Sequence, residues 1–457
     1  MLLRKSFWLT NRVLILLALT SILLYSLFAY GLHRTEVIKL VTIYAVLFFL
    51  FYQSVSLLKN NTKALTWLSF GFRFIFIFAI PNLSQDFYRF IWDGRMIYEG
   101  INPYLFTPDY FMQMGRFPIE EAKTLYNGMG PLSASHFTNY PPVNQLCFLI
   151  AALFAGKSIL GSVVTMRLIL IAADFGTLYF GKKLLEKLQI PTYHIFWYIL
   201  NPFIIIELTG NLHFEGVMVF FLVCSLYLLH IGKWQLSALA LTLSISVKLI
   251  PLIFIPLFYK WFVFKYSSSL KGLKKLLVFY LLIGLPTMLL FLPFYSSEFI
   301  KNYSETVGLW FRNFEFNASL YYIARGIGYT FRGYNEIAII GKLLAALVML
   351  FALFMALLRN NKSIAQLITA MLFVLSFYYF TATTVHPWYI TTLLILSVFT
   401  KYRFPLVWSG VIILSYLAYS NTNDKENLWV IGIEYLVVYS FFIWEVFIKK
   451  ATTKVAS

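Results

Sequence analysis

Apolar residues run along this chain in stretches of about twenty, broken by short polar turns. A helix rises about 1.5 Å per residue and a bilayer core is about 30 Å thick, so each stretch is long enough to span. The pattern predicts spans near 13–31, 38–58, 64–81, 160–181, 193–209, 216–231, 275–295, 337–358, 364–383, 387–400, 405–420 and 428–448. Two further segments do not fit. The stretch 142–156 is short and opens with Pro141-Pro142, and 236–259 carries Lys248 and Pro251 near its middle. Both are read as interfacial or re-entrant pieces, which gives an all-α polytopic bundle of about 12–14 membrane segments.

Composition supports a membrane class. Of 457 residues, 60% are hydrophobic and 12% charged, against about 45–50% and about 25% in soluble domains. The two cysteines, Cys147 and Cys224, sit in apolar runs and behave as small hydrophobes. The net charge of +18 reads first as a topology label. No basic stretch is long enough for a nucleic-acid reader, so none is expected as a partner. Arg4, Lys5 and Arg12 precede the first apolar stretch without a small-residue cleavage site, which marks a retained first helix.

With the two awkward segments left out of the count, the basic clusters fall on one face. They are Lys59/Lys63, Lys182/Lys183/Lys187, Lys260 to Lys275, Arg359/Lys362, Lys401/Arg403 and Lys449/Lys450. The positive-inside rule makes that face cytoplasmic. The expectation is a single transmembrane domain, 1–457, in the cytoplasmic (inner) membrane. Segment 82–140 is then its outer, catalytic loop and 296–336 a second outer loop, because long loops in a tightly connected chain usually carry function.

Segment 82–140 holds six of the 19 acidic residues: Asp86, Asp93, Glu99, Asp109, Glu120 and Glu121. In Asp86-Phe-Tyr-Arg-Phe-Ile-Trp-Asp-Gly-Arg95, Asp86, Arg89, Asp93 and Ile97 share one helical face. Two carboxylates flanking a guanidinium suit general-base chemistry, because the cation keeps an acid ionised. The same spacing equally suits a clasp that holds the loop down. Asn102 and Pro103 in Gly100-Ile-Asn-Pro-Tyr104 should end the helix in a turn.

Polar groups within apolar spans cost about 2.5–3.5 kcal/mol each at mid-bilayer, so each calls for a partner or a function. Arg167 and Asp174 lie on one inward face, as a site or as pairings with neighbouring helices. Glu207, Asn211 and Glu215 are four apart, with His213 between them and Gly210 and Gly216 on either side, which suits a ligand-facing turn. Lys248 either snorkels or points into a polar cavity. Arg312, Asn317 and Arg325 lie in 296–336, and His386-Pro-Trp-Tyr389 opens a later span.

Together these motifs resemble a known family. The Asp86–Arg95 stretch, Gly100–Tyr104 and Tyr140-Pro-Pro142 are similar to the GT-C class of integral membrane glycosyltransferases. The similarity is greatest to the bacterial polyprenyl-phosphate-mannose-dependent mannosyltransferases. Arg167 with Asp174, Asn201-Pro202, Asn211-Leu-His213, Lys248–Pro251 and His386–Tyr389 follow in the matching order.

The resemblance implies transfer of one sugar, mannose by preference, from a polyprenyl-phosphate donor to a glycan or glycolipid hydroxyl outside the membrane, with inversion. It implies Asp86 as catalytic base, with Asp93 in reserve. Donor and phosphate contacts are expected from Arg312, Lys248, His386, His213, Asn211 and Arg89. Acceptor and sugar contacts are expected from Trp92, Arg95, Asn102, Tyr104, Tyr140, Glu215, Trp388 and Tyr389. Some relatives carry two acids one residue apart, whereas this chain has Asp86-Phe-Tyr88, and Glu215 stands where an Asp is commoner. No metal ligand is assigned, and a divalent ion stays an open alternative.

Two other readings compete. A lipid-linked oligosaccharide polymerase or ligase predicts an arginine-rich site poor in bases, and a transporter predicts matched broken helices in two repeats. The acid-rich first loop favours the transferase.

Overall fold

In the computed structural model the described residues are 5–265, 268–309, 314–420 and 425–449. The architecture is all-helical; among the described residues, extended pairing is confined to an isolated parallel bridge between Phe316 and Thr384. Among the described residues, seven helices are long and apolar enough to cross a membrane: Arg12–Gly31, Val37–Leu58, Ile159–Lys187, Ser269–Phe294, Ile337–Leu357, Ile364–Thr381 and Leu428–Ile448. Leu23, Leu350 and Leu436 lie exposed on them. That is where lipid, rather than protein, solvates an apolar side chain. The chain is a multi-pass membrane protein.

The remaining apolar segments are helices of a different kind. Pro142–Ala155, Trp234–Val247, Pro387–Val398 and Phe404–Ser420 are shorter. The sequence expectation of 12–14 membrane segments therefore describes apolar pieces, not uninterrupted crossings. Expected span 64–81 is a helix only over Thr62–Ile75. Expected span 193–209 breaks at Asn201-Pro202, continues as a π-helical turn over Ile205–Gly210, and then bends by 116° into Glu215–His230. Segment 236–259 opens at Lys248, whose backbone is extended (φ −146°, ψ 139°). A 3-10 helix follows over Ile250–Leu257, where Pro251 and Pro256 lack the amide donors of a regular helix. Irregular backbone at membrane depth survives only inside protein, and residues 201–217 are accordingly all buried.

Buried arginines hold these breaks in place. Arg73 Nε donates to Asp174 Oδ2 at 2.7 Å, and its Nη1 donates to the carbonyls of Ser69 (2.9 Å) and Ile199 (2.7 Å). Arg167 Nε and Nη2 donate to the Thr209 and Gly210 carbonyls at 2.7 and 3.0 Å, and Nη1 to Ile77 at 3.0 Å. The Thr209 and Gly210 carbonyls end the π-helical turn and have no helical donor of their own. Arg167 and Asp174 both face inward, as expected, yet they serve different neighbours and not each other.

Contacts sort the connecting segments into two ends. Arg403 bonds His194, Lys182 lies over Phe196, and Lys362 lies over Phe264 at one end. At the other end, segments 82–140 and 296–336 meet the turns at residues 33–36 and 383–386. Segment 82–140 folds into helices Asp86–Tyr98, Pro108–Gln113 and Ala122–Ala134.

Candidate active site

The Asp86–Tyr98 helix is anchored at both ends. Ser84 Oγ accepts the Asp86 amide at 3.2 Å, and the Leu83 amide donates to Asn211 Oδ1, also at 3.2 Å, which ties the helix start to the 116° bend. The helix stops at Tyr98, and Gly100 takes the turn with φ +74°. Midway, Gly94 presses on helix Pro142–Ala155. A Cβ there would stand 2.2 Å from the Phe148 carbonyl oxygen, so only glycine permits the approach.

Asp86 then faces a cavity of about 390 Å³. Its walls come from distant parts of the chain: Arg34, Asp86 and Arg89, then Ser133 to Tyr140, Lys248, Thr306, and His386 to Tyr389. Lys248 reaches it from the extended break and pairs with Glu215 at 3.1 Å, its ammonium 5.0 Å from the Tyr140 ring centre. The Asp86 carboxyl is raised to about 6, chiefly by burial, with Glu215 raising and Lys248 lowering it. It opens into the cavity but is hemmed in by protein, so water solvates its charge poorly.

One wall is a column of parallel rings. His213 lies 3.7 Å from Trp388 (17°), Trp388 lies 4.7 Å from His386 (4°), and His386 lies 5.0 Å from Phe316 (28°). Glu207, held by the Tyr416 hydroxyl at 2.9 Å, stands 3.6 Å from His213 Nε2 at the far end. Trp388 is thereby immobilised, with both ring faces covered and its edge at the cavity. Burial and Lys248 push His386 down to about 3. It is a neutral hydrogen-bonding group there, not the cation a phosphate site would recruit.

Of the residues expected from sequence, Asp86, Arg89, Tyr140, Lys248, His386, Trp388 and Tyr389 all line this cavity. Others are corrected by their surroundings. Asp93 is fully buried, taking Arg89 Nε at 2.8 Å and Gln145 Nε2 at 3.1 Å. Arg89 also donates to the Ser133 and His136 carbonyls. Arg89–Asp93 is thus the clasp, and Asp86 stands apart from it. Trp92 is buried against Met96 and offers no face to a sugar.

Arg95 ties down Glu120, Glu121 and Lys157. Asn102 joins Tyr104 to Phe294, and Tyr104 is buried with its hydroxyl on the Tyr140 carbonyl. Asn211, His213 and Glu215 support the wall from behind. Arg312 lies outside the described residues. Asn317 donates to Glu434 on helix Leu428–Ile443, and Arg325 pairs with Glu315.

Sequence reasoning missed Arg34, which lines the cavity over the Tyr419 ring at 4.8 Å. Span counting puts its turn on the same side as 82–140, but one arginine after an apolar run looks like a topology charge. Among the described residues no group of three His, Cys, Asp or Glu is placed to hold a metal ion. What the cavity can do is accept a proton at Asp86, with the positive charges of Lys248 and Arg34 in the same lining and a rigid aromatic wall beside them.

Residues 18–265 match the family described as alpha-(1->6)-mannopyranosyltransferase, N-terminal domain. Alpha-(1->6)-mannopyranosyltransferase A of Mycobacterium tuberculosis is 21% identical over 204 residues, which cover 44% of this chain. They span only 37% of that relative's length. The family match takes in Arg34, Asp86, Arg89, Tyr140 and Lys248, and ends before the His386–Tyr389 wall. With just over half of its length matched, the chain belongs to the alpha-(1->6)-mannopyranosyltransferase N-terminal-domain family.

Proposed function

We propose that this protein is a GT-C-type glycosyltransferase. In this reading it moves one mannosyl unit from a polyprenyl-phosphate donor to a hydroxyl of a glycan or glycolipid, on the extracytoplasmic side of the membrane. The observation that carries the reading is the convergence of Asp86, Lys248 and Trp388, from segments 300 residues apart, on one cavity. Family membership supports the sugar, and the acid-rich segment 82–140 serves as the outer catalytic loop.

Asp86 takes the proton of the acceptor hydroxyl as that oxygen attacks the anomeric carbon in line. The bond to the phosphate oxygen breaks on the opposite face, which inverts the centre, and polyprenyl phosphate leaves with the electron pair. Its charge develops towards Lys248 and Arg34. A small cleft between helices Ile337–Leu357 and Ile364–Thr381, with Leu344 and Val348 on one side and Tyr378, Thr381 and Thr384 on the other, meets the main cavity at Tyr389. At about 50 Å³ it has room only for the part of the isoprenoid tail next to the phosphate, where each buried methylene contributes about 0.8 kcal/mol.

The test is turnover by the purified chain against a panel of short-chain polyprenyl-phosphate sugars. We expect transfer from the mannosyl donor; transfer from a nucleotide-activated mannose in its place would sink the donor assignment.

A pH profile checks the base separately. A protonated carboxyl cannot take the acceptor's proton, so kcat/KM should fall as pH drops through about 6 and level off above it. A profile flat from pH 5 to 8 would contradict the role of Asp86.

A further inference from the structure

The opposite end of helix Ile364–Thr381 carries a second polar cavity. At roughly 1.5 Å per residue its 18 residues put the two ends about 27 Å apart, close to the thickness of a bilayer core. This second cavity, of about 690 Å³, is lined by His194, Arg359, Lys401 and Arg403, with Ile190 and Phe399 as apolar walls. Three of those side chains are cationic, and they come from two separate connections of the bundle, with His194 from a third.

Among the described residues none of the three cations makes an ion pair with a carboxylate within 4 Å, although Glu445 lies near enough to Arg403 to offset part of its charge. Arg359 lies over the Phe373 ring, and its Nη1 is buried with no hydrogen-bond partner. Arg403 donates from Nη2 to His194 Nδ1 at 3.0 Å. Burial and Arg403 hold that imidazole down at about 4, so it orients the guanidinium without adding charge. Glu445 approaches Arg403, but its Oε2 is taken by the backbone amides of Arg403 (2.7 Å) and Phe404 (2.9 Å). Lys401 is exposed at the rim, over Tyr402. A buried guanidinium nitrogen without an acceptor is costly, and an ionised oxygen is the strongest acceptor for it.

We propose that this cavity binds a phosphate-bearing anion, the headgroup phosphodiester of an anionic phospholipid in the leaflet facing away from the Asp86 cavity. Arg359 and Arg403 grip the phosphate oxygens, Lys401 closes over them, and Ile190 and Phe399 meet the first part of the acyl chains. Basic pockets between membrane helices are suited to such headgroups. The inference stands whether or not the Asp86 cavity transfers mannose.

The full-length protein, delipidated in neutral detergent, is titrated with phosphatidylglycerol, phosphatidylcholine or inorganic phosphate while its thermal midpoint is followed. Phosphatidylglycerol should raise the midpoint, and phosphatidylcholine should raise it much less. Arg359→Gln and Lys401→Gln should each shift the half-saturating concentration upward roughly tenfold, the loss of one charge-assisted contact. If inorganic phosphate matches phosphatidylglycerol and the same variants weaken it, the site stands and its ligand is the free anion. Lys401 is exposed, so its variant reports even if Arg359→Gln does not fold. Equal responses to the anionic and zwitterionic lipids, or variants that bind like the parent, overturn the proposal.

Discussion

Asp86→Asn is expected to lower mannosyl transfer by about a thousandfold, the middle of the range for removing a positioned general base. Asparagine keeps the size and hydrogen-bonding of the side chain but cannot take a proton. The same change should leave stability unchanged or raise it. Asp86 has a folded pKa of about 6, above the unfolded value of about 4, so the folded state holds its proton more tightly. Its contribution to stability is therefore present at low pH and lost as pH rises from about 4 to 6. At neutral pH the variant removes a poorly solvated charge. Asp93→Asn should behave in the opposite way, because Asp93 accepts from Arg89 and Gln145. Its first effect is a lower melting temperature. Near-normal turnover by a folded Asp86→Asn protein, or an Asp93→Asn protein of normal stability that has lost transfer, would move the base away from residue 86.

That contrast marks the limit of what spacing can say. The face shared by Asp86, Arg89 and Asp93 was legible because helical geometry is local, and the helix end at Gly100 was legible because Asn102-Pro103 is a local signal. Which carboxylate Arg89 chooses depends on Ser133, His136 and Gln145, which arrive from later in the chain. Aromatic content of 19% hides the same problem. Trp92 and Trp388 look alike in sequence, yet one fills the core while the other, held between His213 and His386, reaches the cavity edge-on.

The broken span at 193–209 was hidden for a different reason. Its apolar run satisfies a length rule, and the break shows only through Asn201-Pro202 and the remote Arg167 that takes up its free carbonyls. Arg73, a charge inside the expected span 64–81, called for a partner by that fact alone, but nothing near it in sequence names Asp174 as that partner.

Arg73→Leu or Asp174→Asn should each destabilise the protein by about 3–5 kcal/mol, because each leaves one charge buried without its counter-ion. The side chains are 0% and 1% exposed, so water cannot substitute for the missing partner. The double variant Arg73→Leu/Asp174→Leu should recover much of that loss, since it leaves neither charge behind. Thermal unfolding of all three in one detergent measures the cycle. A double variant as unstable as the sum of the single ones would mean that the bond from Arg73 to the Ile199 carbonyl, not the ion pair, is what matters. Either result bears on the site, because Ile199 leads into the Asn201-Pro202 break and the bend whose Asn211 holds Leu83. Loosening Arg73 should therefore reduce transfer at temperatures where the bundle is still folded, by letting the start of the Asp86 helix drift from Lys248.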